Sequence, residues 1–167
     1  MLVFIKGAKR LKTFLIQQTT MLKNNFEISD EFGQLLLKTE GNVGGLVGLR
    51  NKVYDATTNQ EIAFIKQRFG QYKFDIFQNE KLVATVKKIW LSLGKRYIVD
   101  GINWEVKGQL VKHQYTIAEK NGTIIAECKK SFSFKDKFEV SIIKDSQDPI
   151  LVFLVIIALD SIINQMS

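Results

Sequence analysis

The sequence predicts a mainly β protein: a closed antiparallel barrel of about twelve strands around a buried hydrophobic C-terminal helix. Three observations carry that expectation. The chain ends in Asp148–Asn164, DPILVFLVIIALDSIIN, where ten apolar residues run unbroken from Ile150 to Leu159. Before it, a short motif recurs with a spacing of 21 residues or its multiple. Between its copies lie short aromatic and β-branched runs separated by turn residues.

The terminal segment reads as a helix over about residues 149–164. Asp148 accepts from the first free N–H groups, and Pro149 tolerates the first helical position. A surface helix confines its apolar residues to one stripe, whereas this one is apolar on every face and wants burial all round. Burying nine large side chains at about 1.5–3 kcal/mol each supplies at most about 14–27 kcal/mol. A membrane span needs about 20 apolar residues, and this stretch is shorter, interrupted by Asp160 and without a flanking Lys or Arg. Its Ile and Val content also permits two short buried strands, but the Asp-Pro start and the total length favour a helix.

The repeat supplies the wall. Ile62-Ala63-Phe64-Ile65-Lys66, Val83-Ala84-Thr85-Val86-Lys87 and Ile125-Ala126-Glu127-Cys128-Lys129 share one frame. Asn103-Trp104-Glu105-Val106-Lys107 fits with a one-residue slip, and Gln34-Leu35-Leu36-Leu37-Lys38 is a degenerate earlier copy. A period near 21 fits one β-hairpin per unit. Strands are expected near 14–18, 26–30, 34–39, 46–54, 60–68, 72–77, 82–89, 96–99, 102–109, 113–119, 123–132 and 137–143. Asn121-Gly122 is the strongest two-residue turn signal, with Asp100-Gly101 and Thr58-Asn59 as further turns. Closure removes exposed edges, and the helix fills what would otherwise be a void. Alternation points Ile124, Ala126 and Cys128 inward, and the repeated alanine lets the wall approach the helix.

Residues 1–167 form one domain, with no Pro/Gly/Ser-rich linker to divide it. The N-terminus lacks a signal-peptide core, and the lone Cys128 excludes an internal disulfide framework, so a cytoplasmic protein, peripheral at the membrane at most, is expected. The net charge of +7 sits outside the terminal helix: residues 148–167 hold two acids and no base. A basic shell attracts anions, whether lipid, acidic protein or nucleic acid, or is simply well solvated.

The pieces Glu61–Gln67, Leu82–Lys88, Leu91–Lys95, Gly101–Gly108 and the closing Asp148–Asp160, in that order, resemble the LURP-one-related family. That family is similar in fold to the tubby C-terminal domain and to phospholipid scramblases, so the resemblance implies a twelve-stranded barrel around a hydrophobic helix. Tubby domains bind phosphoinositides through basic residues and scramblase relatives act at membranes. Neither functional motif is identifiable here, so what carries over is the fold.

No catalytic constellation emerges, and no cofactor is called for. His113 and Cys128 are the only residues of their types, too few for a His/Cys metal site. A two-residue turn at Asn121-Gly122 pairs His113 with Lys130 and Tyr115 with Cys128. That leaves the histidine and cysteine diagonal, with no carboxylate orienting the imidazole. The Gly41–Gly48 stretch lacks the Lys-Ser/Thr pair and following helix of a phosphate loop, and reads as a hairpin or bulge. Asp136, Asp145 and Asp148 lack EF-hand spacing. Asp160 is expected near the barrel's far mouth, paired or wet, and Trp90 and Trp104 in packing roles.

The expectation is therefore a non-enzymatic binding module. The candidate site is the lysine closing each repeat: Lys66, Lys87, Lys107 and Lys129, outward at one level, with Lys88 and Lys130 near the rim. Such a belt would bind an anionic phospholipid or membrane surface, unless acids such as Glu105 and Glu127 interleave with it. The alternative is a protein-interaction or scaffold domain with no lipid or nucleic-acid binding. Nucleic acid is disfavoured as a partner because no RNA-binding sheet motif or reading helix is present.

Overall fold

The computed structural model describes residues 12–20, 25–42, 48–68, 72–91, 94–109, 112, 114–131, 137–143 and 148–165. The expectations for His113, Asp136, Asp145, the centre of the Gly41–Gly48 stretch and the side chain of Trp90 lie outside the described residues. Twelve strands form: β1 (Lys12–Gln18), β2 (Phe26–Asp30), β3 (Leu35–Gly41), β4 (Arg50–Asp55), β5 (Glu61–Gln67) and β6 (Lys73–Gln78), then β7 (Lys81–Leu91), β8 (Gly94–Asp100), β9 (Trp104–Gln109), β10 (Gln114–Glu119), β11 (Ile124–Ser131) and β12 (Lys137–Ile142). Each pairs antiparallel with its neighbours in sequence, and β1 closes on β12, Phe14 facing Val140. A meander that closes on itself leaves no unpaired edge.

Helix α1 (Pro149–Gln165) runs through the middle. Asp148 starts it as expected: its Oδ1 accepts from the Ile150 N–H at 3.0 Å, and its Oδ2 from Gln78 Nε2 at 3.2 Å. Gln78 closes β6, so the helix enters at the β6–β7 turn. It ends against the last residue of β5, where the Gln67 and Gln165 amides exchange bonds of 2.9 and 3.0 Å. Everything from Val152 to Ile162 is buried, and the core is this helix together with the inward residues of the wall. Ala63, Ala84 and Ala126 all face in, and β6 and β7 lie nearest the helix.

The repeat has a structural meaning that period alone does not convey. In four hairpins the register slips by one residue just inside the turn: at Leu36, Ile62, Val83 and Ile125. Each is the extra residue of a β-bulge, and each is followed by the inward residue of its strand: Leu37, Ala63, Ala84 or Ala126. The Ile/Val-Ala pair is thus a bulge followed by a small inward side chain. Bulges sharpen the local twist that bends a sheet into a barrel. The earliest copy is framed two residues later than its sequence suggests, with Leu36-Leu37 in the place of Ile62-Ala63.

One face assignment is corrected by the same bulge. Ile124 is 40% exposed, whereas Ile125 and Ala126 are both buried. The Asn121-Gly122 turn is also longer than two residues: Glu119 N–H donates to Thr123 O at 2.9 Å, leaving 120–122 as the loop, with Gly122 at φ 93°. Gly101, at φ 94°, occupies the Asp100-Gly101 turn, where a Cβ would stand 2.8 Å from Val83 O. Only glycine takes that backbone so close to its neighbour.

Candidate functional surfaces

The lysines that close the repeats lie on alternate strands, β5, β7, β9 and β11. Alternation from the inward alanine sends each outward. The ladder fixes their relative positions. Lys66 faces Asp75, which faces Thr85, so Lys87 is two residues further along its strand. Lys87 faces Ile98, which faces Glu105, and Lys107 is again two further. Lys107 faces Thr116, which faces Glu127, and Lys129 is two further still. A constant step of this kind is what strand tilt demands of residues held at one level of a barrel. The four therefore form an arc at one level, spread over half the circumference.

Carboxylates accompany the arc. Lys87 is ion-paired with Asp100, and Lys107 lies 3.9 Å from Glu105. Lys66 stands opposite Asp75, and Lys129 opposite Glu139. Asp75 is itself clamped by the Arg68 guanidinium at 2.9 and 3.0 Å. The arc is a mixed surface.

Lys88 and Lys130 point to the other side of the wall, since each shares parity with the inward residues of its strand. Lys88 is only 8% exposed, its ammonium 5.2 Å from the centre of the Tyr72 ring. Lys130 sets its ammonium 3.9 Å from Asp160 and 5.4 Å from the Phe138 ring centre. Asp160, expected at the far mouth, is buried there, with Asn164 Nδ2 donating to it at 3.1 Å. Lys130 brings a cation to the last turns of a helix that has no basic residue of its own there, which suits the helix dipole.

The one described thiol is unsuited to nucleophilic work. Burial pushes Cys128 up to about 12, against a helping contact from the Tyr115 hydroxyl. A thiol so raised carries no useful thiolate at neutral pH. Among the described residues no three His, Cys, Asp or Glu gather as metal ligands. Trp104 is buried in the wall, as its packing role requires.

A surface that the sequence reading passed over lies on the outside of β4, β5 and β6. Lys52, Phe64, Phe77 and Leu82 are successive partners across four strands. The Phe64 and Phe77 rings lie 6.1 Å apart, tilted by 37°, on the solvent side of the wall. Leu82 beside them is 54% exposed. The rings floor an open depression of about 520 Å³. Lys52 stands abreast of Phe64 on β4, Lys66 lies at one end of the depression along β5, and Glu61 and Glu80 lie at the other end. The signal was available: Phe64 falls at outward parity between inward Ala63 and Ile65, and a large aromatic in that phase is placed where a solvated wall has no need of one.

Comparison with known proteins agrees with this architecture. The family described as LURP-one-related matches residues 12–160. The uncharacterized protein YxjI of Bacillus subtilis (strain 168) is 24% identical over 156 residues, covering 92% of this chain and 94% of its own. A protein of Arabidopsis thaliana solved by X-ray crystallography superposes with a TM-score of 0.63 at 19% identity, over 89% of this chain and 90% of its own. That last likeness is one of fold. The match across nearly the whole barrel and helix places the chain in the LURP-one-related family.

Proposed function

We propose that this barrel is a non-enzymatic protein-interaction domain. The observation that carries this reading is the accompaniment of the lysine arc by carboxylates. A flat anionic membrane touches a barrel along one side and would meet one or two members of an arc spread over half its girth. At about 1 kcal/mol for each basic residue near the surface, that attraction is too small to hold the protein. The depression over Phe64 and Phe77 offers the kind of aromatic, partly dry surface on which protein contacts concentrate their energy.

Co-sedimentation with phosphatidylserine vesicles at physiological salt, beside capture of cross-linked protein partners at high salt, tests the reading. The expected result is no more pelleting than with neutral vesicles, and partner capture that resists salt. Pelleting that disappears when Lys66, Lys87, Lys107 and Lys129 are all changed to Gln would replace it with the membrane-binding reading.

A further inference from the structure

We propose that the depression over Phe64 and Phe77 receives an extended segment of a protein partner, carrying one large apolar side chain between an acidic and a basic residue. This rests on the protein-interaction reading and names its chemistry. The closed ladder offers no free backbone groups here, because β5 is paired with both β4 and β6. Recognition must therefore come from side chains.

Three features of the surface select the occupant. The two rings supply a floor for one anchor, and offset aromatic contacts reward an aromatic one. Lys66 lies at one end of that floor along β5, Glu61 and Glu80 at the other, and Lys52 stands abreast of Phe64 on β4. Lys52, Glu61 and Glu80 make no ion pair with another described residue, unlike Lys87 and Lys107 in the arc, whereas Lys66 feels the Asp75 carboxylate opposite it without closing an ion pair. Lys66 lies two residues from Phe64 along β5, and Glu61 three residues the other way across the bulge at Ile62. An extended segment laid along β5 turns alternate side chains downward, about 7 Å apart. Its residues i−2, i and i+2 then meet one charged end, the aromatic floor and the opposite charged end. A membrane or nucleic-acid backbone, uniformly anionic, would set its charge against Glu61 and Glu80.

The experiment is a titration of the ¹⁵N-labelled full chain with three blocked pentapeptides. They are acetyl-Asp-Ser-Phe-Ser-Lys-amide and its analogues with Asp at both ends or Lys at both ends. The mixed peptide is expected to shift the amides around Phe64 and Phe77 saturably. The same-charge peptides should bind roughly threefold or more weakly, the scale of one exposed ion pair lost and one repulsion gained. In the variant Lys66→Glu both ends become acidic, and preference should pass to the peptide with two lysines. Phe64→Ser should weaken all three; should that variant fail to fold, the charge reversal, made on the solvated face, still decides. Equal affinity for the three peptides, or shifts centred elsewhere, would overturn the proposal. So would groove amides that respond to phosphatidylserine vesicles and not to peptides, which would put a membrane there. If the peptides fail while salt-resistant partner capture persists, this proposal falls and the interaction reading stands; if both fail, both fall.

Discussion

Lys130 reaches inward from β11 to set its ammonium 3.9 Å from the Oδ1 of Asp160, an acid 2% exposed inside the barrel. The two partners differ in what each can do alone. Lysine can slide its head toward water along its own stem, whereas the short Asp160 side chain is held by the helix. Lys130→Met should therefore cost up to about 3–5 kcal/mol, the scale of removing one partner of a buried pair. Asp160→Asn should cost clearly less, and Lys130→Met with Asp160→Leu less than the first alone. Urea midpoints of the three variants check the order. Equal costs for the two single changes would mean that the lysine cannot escape.

Leu154 lies in the buried run of α1 with no exposure. Leu154→Asp places an unpaired charge there, costing several kcal/mol against a total stability of about 5–15. Loss of the soluble folded protein is expected, read by circular dichroism and gel filtration. A variant that melts like the parent would place this residue against water.

Cys128 should resist thiol reagents in the folded protein. With its pKa pushed to about 12, the thiol keeps its proton at pH 8, and the wall covers it. In the unfolded chain the pKa returns to about 8.5. Labelling by an aromatic disulfide at pH 8 should be slow in buffer and complete within minutes in denaturant. Because the folded value is raised, this burial stabilises the protein below about pH 8.5 and loses that contribution as pH rises toward 12. Rapid labelling in buffer would mean that the barrel opens beside β11.

Much of the fold was legible because its signals are local and repeated. The Asp148-Pro149 start, the unbroken apolar run and twelve strand-like segments all correspond to elements in place. The pairing of Tyr115 with Cys128 was reached through two errors that cancel. The loop holds three residues where two were expected, and the bulge at Ile125 restores the register one step later. A bulge leaves no mark in a period-two pattern except two adjacent apolar residues, so Ile124 was turned the wrong way. The surfaces were less legible. Placing a lysine at outward parity says nothing of what stands opposite on the next strand, and Asp75, Asp100 and Glu139 come from other hairpins. The depression needed Phe64, Phe77 and Leu82 to be brought side by side from three strands, and only the ladder does that.

Asp75 should govern part of the acid limb of stability. Burial works to raise its pKa, but the Arg68 guanidinium and the Thr85 hydroxyl, 2.8 Å away, outweigh it and hold the carboxyl below its ordinary 3.8. A carboxyl depressed in the folded state stabilises the protein above the unfolded pKa. That contribution fades as pH falls through the lower folded value. Asp75→Asn should therefore lower the urea midpoint at pH 7, and the gap from the parent should close as the pH drops below about 4. Arg68→Gln should reproduce the same narrowing, since the guanidinium is the largest cause of the depression. Arg68 is half exposed, so added salt should shrink both effects. A gap between parent and Asp75→Asn that stays constant from pH 7 to pH 2 would show that this carboxyl titrates alike in the folded and unfolded chains, and that the clamp between β6 and its neighbours is packing alone.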